Sequence, residues 1–278
     1  MRIISFNVNG IRSMIGKLKN GEKNGNAGDH CLKSLIEEQR PDILCLQEVK
    51  TQSESDLEEL SSHFTYLFTN FSKNKKGYSG VSLMTNLTPE WVSYDFSLFE
   101  EDRIGKYEES SFVNEGRLIA VKFAEFIAVT VYVPNAQPEL ARIQERLQWE
   151  NLLRKYLKAL EEDYQVPVVL CGDLNVAPTD KDIHRKQPKG TPGASAEERG
   201  AFQQLVEAGF VDSFRALHPA EMKYTYWSNF AKSRERNKGW RIDMVMVSEH
   251  ATDRITHSDC LTEYMGSDHC PVVCDIAF

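Results

Sequence analysis

At 278 residues, with 41% of them hydrophobic and 10% aromatic, the chain can bury one large core, and no apolar run approaches the roughly 20 residues of a membrane span. The formal net charge of -8 excludes a surface coated in phosphate-binding lysines. It leaves room for a local basic face, and Lys73, Lys75 and Lys76, then Lys232, Arg234, Arg236 and Lys238, form two basic runs.

Met1 leads directly into an apolar strand, without the basic region, long apolar stretch and small-residue site of a secretory leader. Cysteines 31, 45, 171, 260, 270 and 274 are scattered, with no CxxC pair, as expected of reduced thiols in an intracellular protein of cytoplasm or nucleus. The sequons at Asn70 and Asn86 are then chance matches in a protein that is not secreted. Branched and aromatic runs predict strands over residues 3–7, 43–47, 81–84, 118–123, 126–132, 168–172, 224–227, 242–247 and 272–276. Helical spacing is best over 140–160, where Leu147, Leu152, Leu153, Tyr156, Leu157 and Leu160 make one apolar stripe, and recurs over 31–39 and 197–207. Residues 17–29 and 180–195 read as surface insertions, and nothing repeats at a solenoid period. The expectation is a single domain over residues 1–278, a layered β-sandwich flanked by helices.

Polar residues recur where these strands stop. Asn7 and Asn9 follow the first strand, Gln47 and Glu48 end the second, and Tyr132 and Asn135 end another. Asp173 and Asn175 follow residues 168–172, and Asp268 and His269 precede the last strand. Each alone reads as a turn or a cap. Five such coincidences predict one rim, because packed strands fix the direction in which their ends point. A carboxylate beside an imidazole with a resting pKa near 6.5 is what metal-assisted phosphoester hydrolysis needs there.

Seven segments carry a resemblance that covers nearly the whole chain. They are Asn7-Val8-Asn9-Gly10-Ile11-Arg12, Leu46-Gln47-Glu48-Val49-Lys50, Gly77-Tyr78-Ser79-Gly80-Val81, Tyr132-Val133-Pro134-Asn135-Ala136, Gly172-Asp173-Leu174-Asn175, Gly239-Trp240-Arg241-Ile242-Asp243 and Gly266-Ser267-Asp268-His269-Cys270-Pro271. The chain resembles the exonuclease III class of apurinic/apyrimidinic (AP) DNA endonucleases. Glu48, Asp173, Asn175 and Ser267-Asp268-His269 belong to the broader endonuclease/exonuclease/phosphatase pattern, and the Tyr-x-Pro-Asn and Gly-Trp-Arg-Ile-Asp segments to its DNA-repair branch. The resemblance implies a four-layered α/β sandwich, two packed mixed β-sheets flanked by helices. It also implies metal-dependent incision 5′ to abasic sites, alongside 3′–5′ exonuclease and 3′-end-cleaning activities. Another phosphodiesterase of the same superfamily, acting on RNA or phospholipid, and a noncatalytic DNA-binding protein of this fold are the alternatives.

General acid–base catalysis supplies about 10² to 10⁴ in rate, so a metal, electrostatic clamps and positioning must supply the rest. Glu48 is the first candidate metal ligand, with Asp268 and Asn7 near it, for magnesium or manganese. His269 would bind the scissile phosphate or take a proton from water, with Asp243 orienting it. Asp173 is the alternative base, Asn175 would orient the water, and Tyr132 would donate to the phosphate or leaving oxygen. The residues alone do not choose between the two bases. Arg12, Lys50, Gly77, Tyr78 and Asn135 are expected to grip duplex DNA carrying abasic sites or 3′ ends. Tyr226, Trp240 and Ile242 match the family's pocket for a flipped sugar that has lost its base. Monomeric action is expected.

The chain departs from the family pattern in four places. Residues 17–29 are longer than the usual connection, and residues 189–194 lack the asparagines that members carry there to hold a phosphate. Pro138 stands where some members insert an arginine, and Phe230 is a candidate wedge from the opposite side. Asn9 occupies a position that is acidic in some members.

Overall fold

Most strands are buried on both faces, which is why they read as continuous Val, Ile and Leu runs rather than as an apolar–polar alternation. The computed structural model describes residues 1–19, 32–107 and 112–278. Its elements run β1 (Arg2–Asn7), α1 (Ile11–Lys19), α2 (Leu32–Gln39), β2 (Ile43–Gln47), α3 (Glu58–Ser61), β3 (Tyr66–Asn70), β4 (Val81–Thr85), β5 (Trp91–Ser93) and α4 (Glu101–Ile104). They continue β6 (Leu118–Lys122), β7 (Ile127–Tyr132), α5 (Ile143–Tyr164), β8 (Val168–Asp173), α6 (Ala196–Glu207), β9 (Phe210–Asp212), α7 (Ser213–Leu217), β10 (Asp243–Ser248), β11 (Ile255–Cys260) and β12 (Val272–Ile276).

The strands form two six-stranded sheets, in the orders β11-β12-β1-β2-β4-β3 and β5-β6-β7-β8-β10-β9. Each sheet has one central parallel pair, β1 with β2 and β7 with β8, flanked by antiparallel neighbours. A parallel pair needs a long crossover. Helices α1 and α2 lie in the first crossover and α5 in the second. Ile3, Cys45 and Leu83 of one sheet meet Val121, Val169 and Val245 of the other in the inner core. On the outer faces, Phe6 and Leu46 pack on Met14 and Leu35, while Val129 and Leu170 pack on Trp149, Leu157 and Phe202. Helices, sheet, sheet and helices make the four-layered α/β sandwich that was expected. No helix among the described residues is long and apolar enough to cross a membrane.

Two expectations change. Residues 224–227 do not form a strand: Tyr226 makes only isolated bridges, to Trp240 and to His269. Strands β3, β5, β9 and β11 were not predicted, and they are the four edge strands. The edges are short or mixed in composition, as in Ile-Thr-His-Ser-Asp-Cys of β11, and so lack the uniform apolar signal of central strands. The helix expected over 140–160 runs Ile143–Tyr164, preceded by a single turn at Pro138–Leu140. Of the 17–29 insertion, residues 17–19 complete α1 and the rest lies outside the described residues, as does Cys31. The 180–195 segment is irregular apart from one short turn at Asp180–Asp182. The five described cysteines, Cys45, Cys171, Cys260, Cys270 and Cys274, are all buried free thiols.

Candidate active site

A parallel pair delivers the carboxyl ends of both of its strands to one side of a sheet, and the two parallel pairs here open at the same rim. Asn7 and Glu48 leave β1 and β2 there, and Tyr132 and Asp173 end β7 and β8. Antiparallel β10 starts at the same rim because its first residue, Asp243, pairs with Asp173. His269 precedes β12, whose Val272 pairs with Ser5 of β1. Gly172 makes the close approach of β7 and β8 possible: at φ +146°, a Cβ there would stand 2.0 Å from the Val131 carbonyl oxygen.

The rim surrounds a cleft of about 560 Å³. On its floor the Asn7 amide nitrogen donates to Glu48 Oε1 and to Asp173 Oδ2, both at 2.9 Å. Asn7 therefore turns its nitrogen, not its oxygen, toward the carboxylates, and its oxygen accepts from the Asn9 N–H at 3.0 Å. His269 Nδ1 lies 2.8 Å from Asp243 Oδ2. Potential ligand atoms of Glu48, Asp173 and His269 all lie within 4.8 Å of one another. Asp268 joins this group indirectly. Its Oδ1 accepts from Asn9 Nδ2 at 2.9 Å, and Lys50 reaches both the Asn9 oxygen and Glu48 Oε2, the latter at 2.7 Å.

Asn175 has a left-handed backbone, with φ 51°, and its N–H donates to Asp173 Oδ1 at 2.8 Å. Its side-chain nitrogen donates to the Val133 carbonyl at 2.9 Å, and its oxygen accepts from Asn135 Nδ2 at 3.1 Å. The Tyr132 ring lies beneath the Arg117 guanidinium at 4.6 Å. Tyr226 exchanges backbone hydrogen bonds with Trp240 at 2.8 and 2.9 Å, and its ring centre lies 4.9 Å from that of His269. Trp240 and Tyr226 pack with Ile242, Ile183 and Ala177 in a small apolar cluster. The divergent loop of residues 191–193 forms the facing wall, where a Cβ on Gly193 would come within 3.3 Å of the Trp240 ring.

The remaining candidates stand outside the cleft. Arg12 is exposed beside the Lys50 carbonyl and Asp56, Gly77 has φ +66°, and the Tyr78 hydroxyl accepts from Arg117 at 3.0 Å. Phe230 is 82% exposed on a loop in which Ala231 and Lys232 have left-handed backbones. The second basic run is not one surface patch. Arg234 turns inward over Trp227 and donates to the carbonyls of Thr262, Tyr264, Ser267 and His269.

Burial raises the Asp173 pKa, and repulsion from Asp243 and Glu48 adds to it, taking the carboxyl to about 7. Burial by itself would depress His269. The charge and hydrogen bond of Asp243 outweigh it, helped by Asp173 and Asp268, and hold the imidazole at about 10. Burial would likewise raise Glu48, but Lys50, Asn7 and the His269 charge bring it below the usual carboxylate range. Burial and the Glu48 charge lift Tyr132 well above an ordinary phenol. The Glu48, Asp173 and Asp268 carboxylates of the cleft, with Asp243 buried behind His269, thus face one ammonium and one imidazolium, and the buried Asp243 Oδ1 has no hydrogen-bond partner. An oxygen-rich, net-negative donor set of this kind suits a hard divalent cation and not a thiolate-seeking metal.

Sequence reasoning missed the supporting arginines. Arg117 lies over the Tyr132 ring, Arg241 is buried between Asp182 and Asp212, and Arg146 holds the turn after β8. Only Arg241 stood inside a recognised motif; the others sit singly in stretches with no local signal.

Residues 4–269 match the endonuclease/exonuclease/phosphatase family. The chain is 40% identical over 275 residues to an exodeoxyribonuclease of Bacillus subtilis, covering 98% of each. It is 37% identical over 283 residues to the DNA repair nuclease APEX1 of Danio rerio, covering 100% of this chain and 82% of that one. Among solved structures it superposes on an AP endonuclease from Leishmania major, with TM-score 0.82, 26% identity and coverage of 100% and 87%. It superposes equally over its whole length on an AP endonuclease from Archaeoglobus fulgidus, with TM-score 0.79, 29% identity and full coverage of both chains. The chain therefore belongs to the endonuclease/exonuclease/phosphatase family of hydrolases, within the exonuclease III class of nucleases.

Proposed function

We propose that residues 1–278 act as one catalytic domain of an intracellular, monomeric DNA repair nuclease, which hydrolyses the phosphodiester 5′ to an abasic site in duplex DNA and leaves a 3′ hydroxyl. The observation that carries this reading is the apolar recess of Tyr226, Trp240 and Ile242, which opens into the same cleft as Glu48, Asp173 and His269. A deoxyribose without a base can enter such a recess once flipped from the helix, whereas an intact nucleotide is too large. Nucleotides and blocking groups at 3′ ends would be removed by the same groups. Arg12, Gly77, Tyr78 and Asn135 would fix the phosphates that flank the cleft, and Phe230 would enter the stack.

Glu48 and Asp268 would hold magnesium, or manganese in its place, and when bound the ion supplies Lewis-acid neutralisation of charge developing on the phosphate. Asn7 keeps Glu48 and Asp173 together through the two hydrogen bonds from its amide. His269, kept as an imidazolium by Asp243, donates to a non-bridging phosphate oxygen. A ring already carrying both protons cannot serve as the base. That leaves Asp173, which loses its proton near neutral pH, to accept one from the attacking water. The Asn175 N–H holds the other oxygen of Asp173 in place, and Tyr132, protonated at any physiological pH, donates to the phosphate or leaving oxygen.

The test is one gel assay of purified protein on duplexes carrying an abasic analogue, a recessed 3′ end or a blocked 3′ end, with magnesium or with chelator. Metal-dependent incision 5′ to the analogue is expected, and replacing Trp240 by alanine should narrow the preference for abasic over intact duplex. No incision with any divalent metal would overturn the proposal.

A further inference from the structure

Two buried charges behind the cleft take no part in the chemistry above. Arg146 of α5 and Glu198 in the first turn of α6 both have side chains that are 0% exposed, and they meet at 2.9 Å. Removing two charges from water costs several kcal/mol per ion, so apolar residues would serve stability as well or better there. What the pair holds gives a different reason for its presence.

Arg146 donates from Nη1 to the Asn175 carbonyl at 2.9 Å and from Nη2 to the Leu174 carbonyl at 3.0 Å. These carbonyls belong to the turn in which Asn175 adopts its left-handed backbone and sends its N–H to Asp173. Glu198 faces the opposite way. Its Oε2 accepts from the Gly193 N–H at 2.7 Å, the Ser195 N–H at 3.2 Å and the Ser195 hydroxyl at 2.6 Å. Gly193 is the residue against the Trp240 ring, and its carbonyl accepts from the Ala177 N–H at 2.8 Å. One ion pair therefore fastens the turn that presents Asp173 to the loop that walls the Trp240 recess.

We infer that Arg146 and Glu198 are a positioning pair that sets the separation of the proton-accepting carboxylate from the abasic-sugar recess, and so governs both rate and selectivity from behind the site. The inference rests on the function proposed above. Its effect is geometric. A fork that donates to two carbonyls while its charge stands against Glu198 Oε1, which accepts no hydrogen bond, cannot be reproduced by a single ammonium.

The variants to compare are Arg146→Lys and Glu198→Gln. The second leaves Arg146 with Glu150 at 3.2 Å as a remaining countercharge, so the guanidinium is not stranded. Arg146→Lys should lower kcat on saturating abasic duplex about tenfold while KM moves less than about threefold. It should add little to the loss already caused by Asp173→Asn, since it acts through that carboxylate. Glu198→Gln should lower the ratio of affinities for abasic and intact duplex about threefold, because Gly193 loses a charged acceptor. In both variants amide hydrogen exchange should quicken in residues 172–178 and 189–195 and stay unchanged in β1 and β12. Lys122→Met serves as the stability control: its ion pair with Glu90 lies at the far end of the sheet, so melting should drop with kcat intact.

Variants that melt lower yet keep wild-type kcat, affinity ratio and exchange in both segments would overturn the inference, as would independent, multiplying losses from Arg146→Lys and Asp173→Asn. If the wild-type protein fails to incise abasic duplex, the proposed function falls and the inference falls with it; a wild type that incises while both variants keep its kcat and affinity ratio refutes the inference alone.

Discussion

Replacing Asp243 by asparagine keeps the side chain's size and removes one negative charge 2.8 Å from His269 Nδ1. With the carboxylate present, the imidazole titrates at about 10 although burial pulls it the other way. Without it, burial is the larger influence and the ring should titrate at or below its reference value of about 6.5. At pH 7.5 the wild-type ring is then charged and the variant ring largely neutral. Loss of one charged donor to the phosphate predicts a rate reduction on the order of 10² to 10³ at that pH. The loss should shrink as pH falls, because protonation restores the imidazolium. Asp243 also raises the Asp173 pKa, so its removal moves the base's titration down as well. Both limbs of the pH–rate profile should therefore lie at lower pH than those of the wild type. Single-turnover incision of abasic duplex from pH 5.5 to 9.5, at saturating metal, reads this directly. A variant profile parallel to the wild-type one, scaled down by the same factor at every pH, would refute the reasoning. Stability carries the same sign: because the folded pKa of His269 lies above its unfolded one, its pairing stabilises fully below about 6.5 and is lost as pH rises through about 10.

Arg241→Met strands Asp182 and Asp212, each bonded to the guanidinium at 2.7 Å, and should cost about 3 to 5 kcal/mol in urea unfolding. A loss under about 1 kcal/mol would mean that Arg215, which also reaches Asp182 at 2.6 Å, suffices alone. Gly172→Ala places a Cβ 2.0 Å from the Val131 oxygen, and parting β7 from β8 should destabilise by about 3 kcal/mol or more; near-wild-type stability with normal activity would contradict so close an approach of the two strands. Magnesium at a hundredfold excess over its Kd should stabilise the protein by about 2.7 kcal/mol, several degrees in melting temperature, and Glu48→Gln should abolish that shift. An undiminished shift in the Glu48→Gln protein would remove Glu48 from the ligand set.

The central strands were legible because burial on both faces demands uninterrupted apolar residues, as in Val168-Val169-Leu170-Cys171 and Ile43-Leu44-Cys45-Leu46. Their polar ends were legible for the same reason: once the strand direction is known, Glu48, Asp173 and His269 have to meet. Edge strands such as β3 were not, since their intermediate burial tolerates Tyr66-Leu67-Phe68-Thr69-Asn70, a pattern shared with loops. Residues 224–227 show the opposite failure. Tyr224-Thr225-Tyr226-Trp227 has ideal strand composition, but at the rim only Tyr226 bridges, to Trp240 and to His269, so its ring lines the recess while Tyr224 and Trp227 pack into the core between the sheets.

The arginines explain why an acidic chain can still hold a phosphate site. Arg117, Arg146, Arg234 and Arg241 are spent inside the protein on carbonyls, carboxylates and aromatic faces, where a planar fork of donors can tie several segments together. Each supports a different part of the cleft: Arg117 the Tyr132 ring, Arg146 the Asp173 turn, Arg234 the Asp268–His269 turn and Arg241 the segment bearing Trp240. The Glu48, Asp173 and Asp268 carboxylates that line the cleft, with Asp243 buried behind them, repel one another and any phosphate that approaches, and burial together with this repulsion raises the Asp173 pKa. Positive charge must then arrive from outside or be borrowed locally, and Lys50, bridging Glu48 and Asn9, and the His269 imidazolium are the cations the chain itself supplies at that place. A divalent ion would do the same with twice the charge, which ties metal dependence to the negative cleft by electrostatics as well as by family.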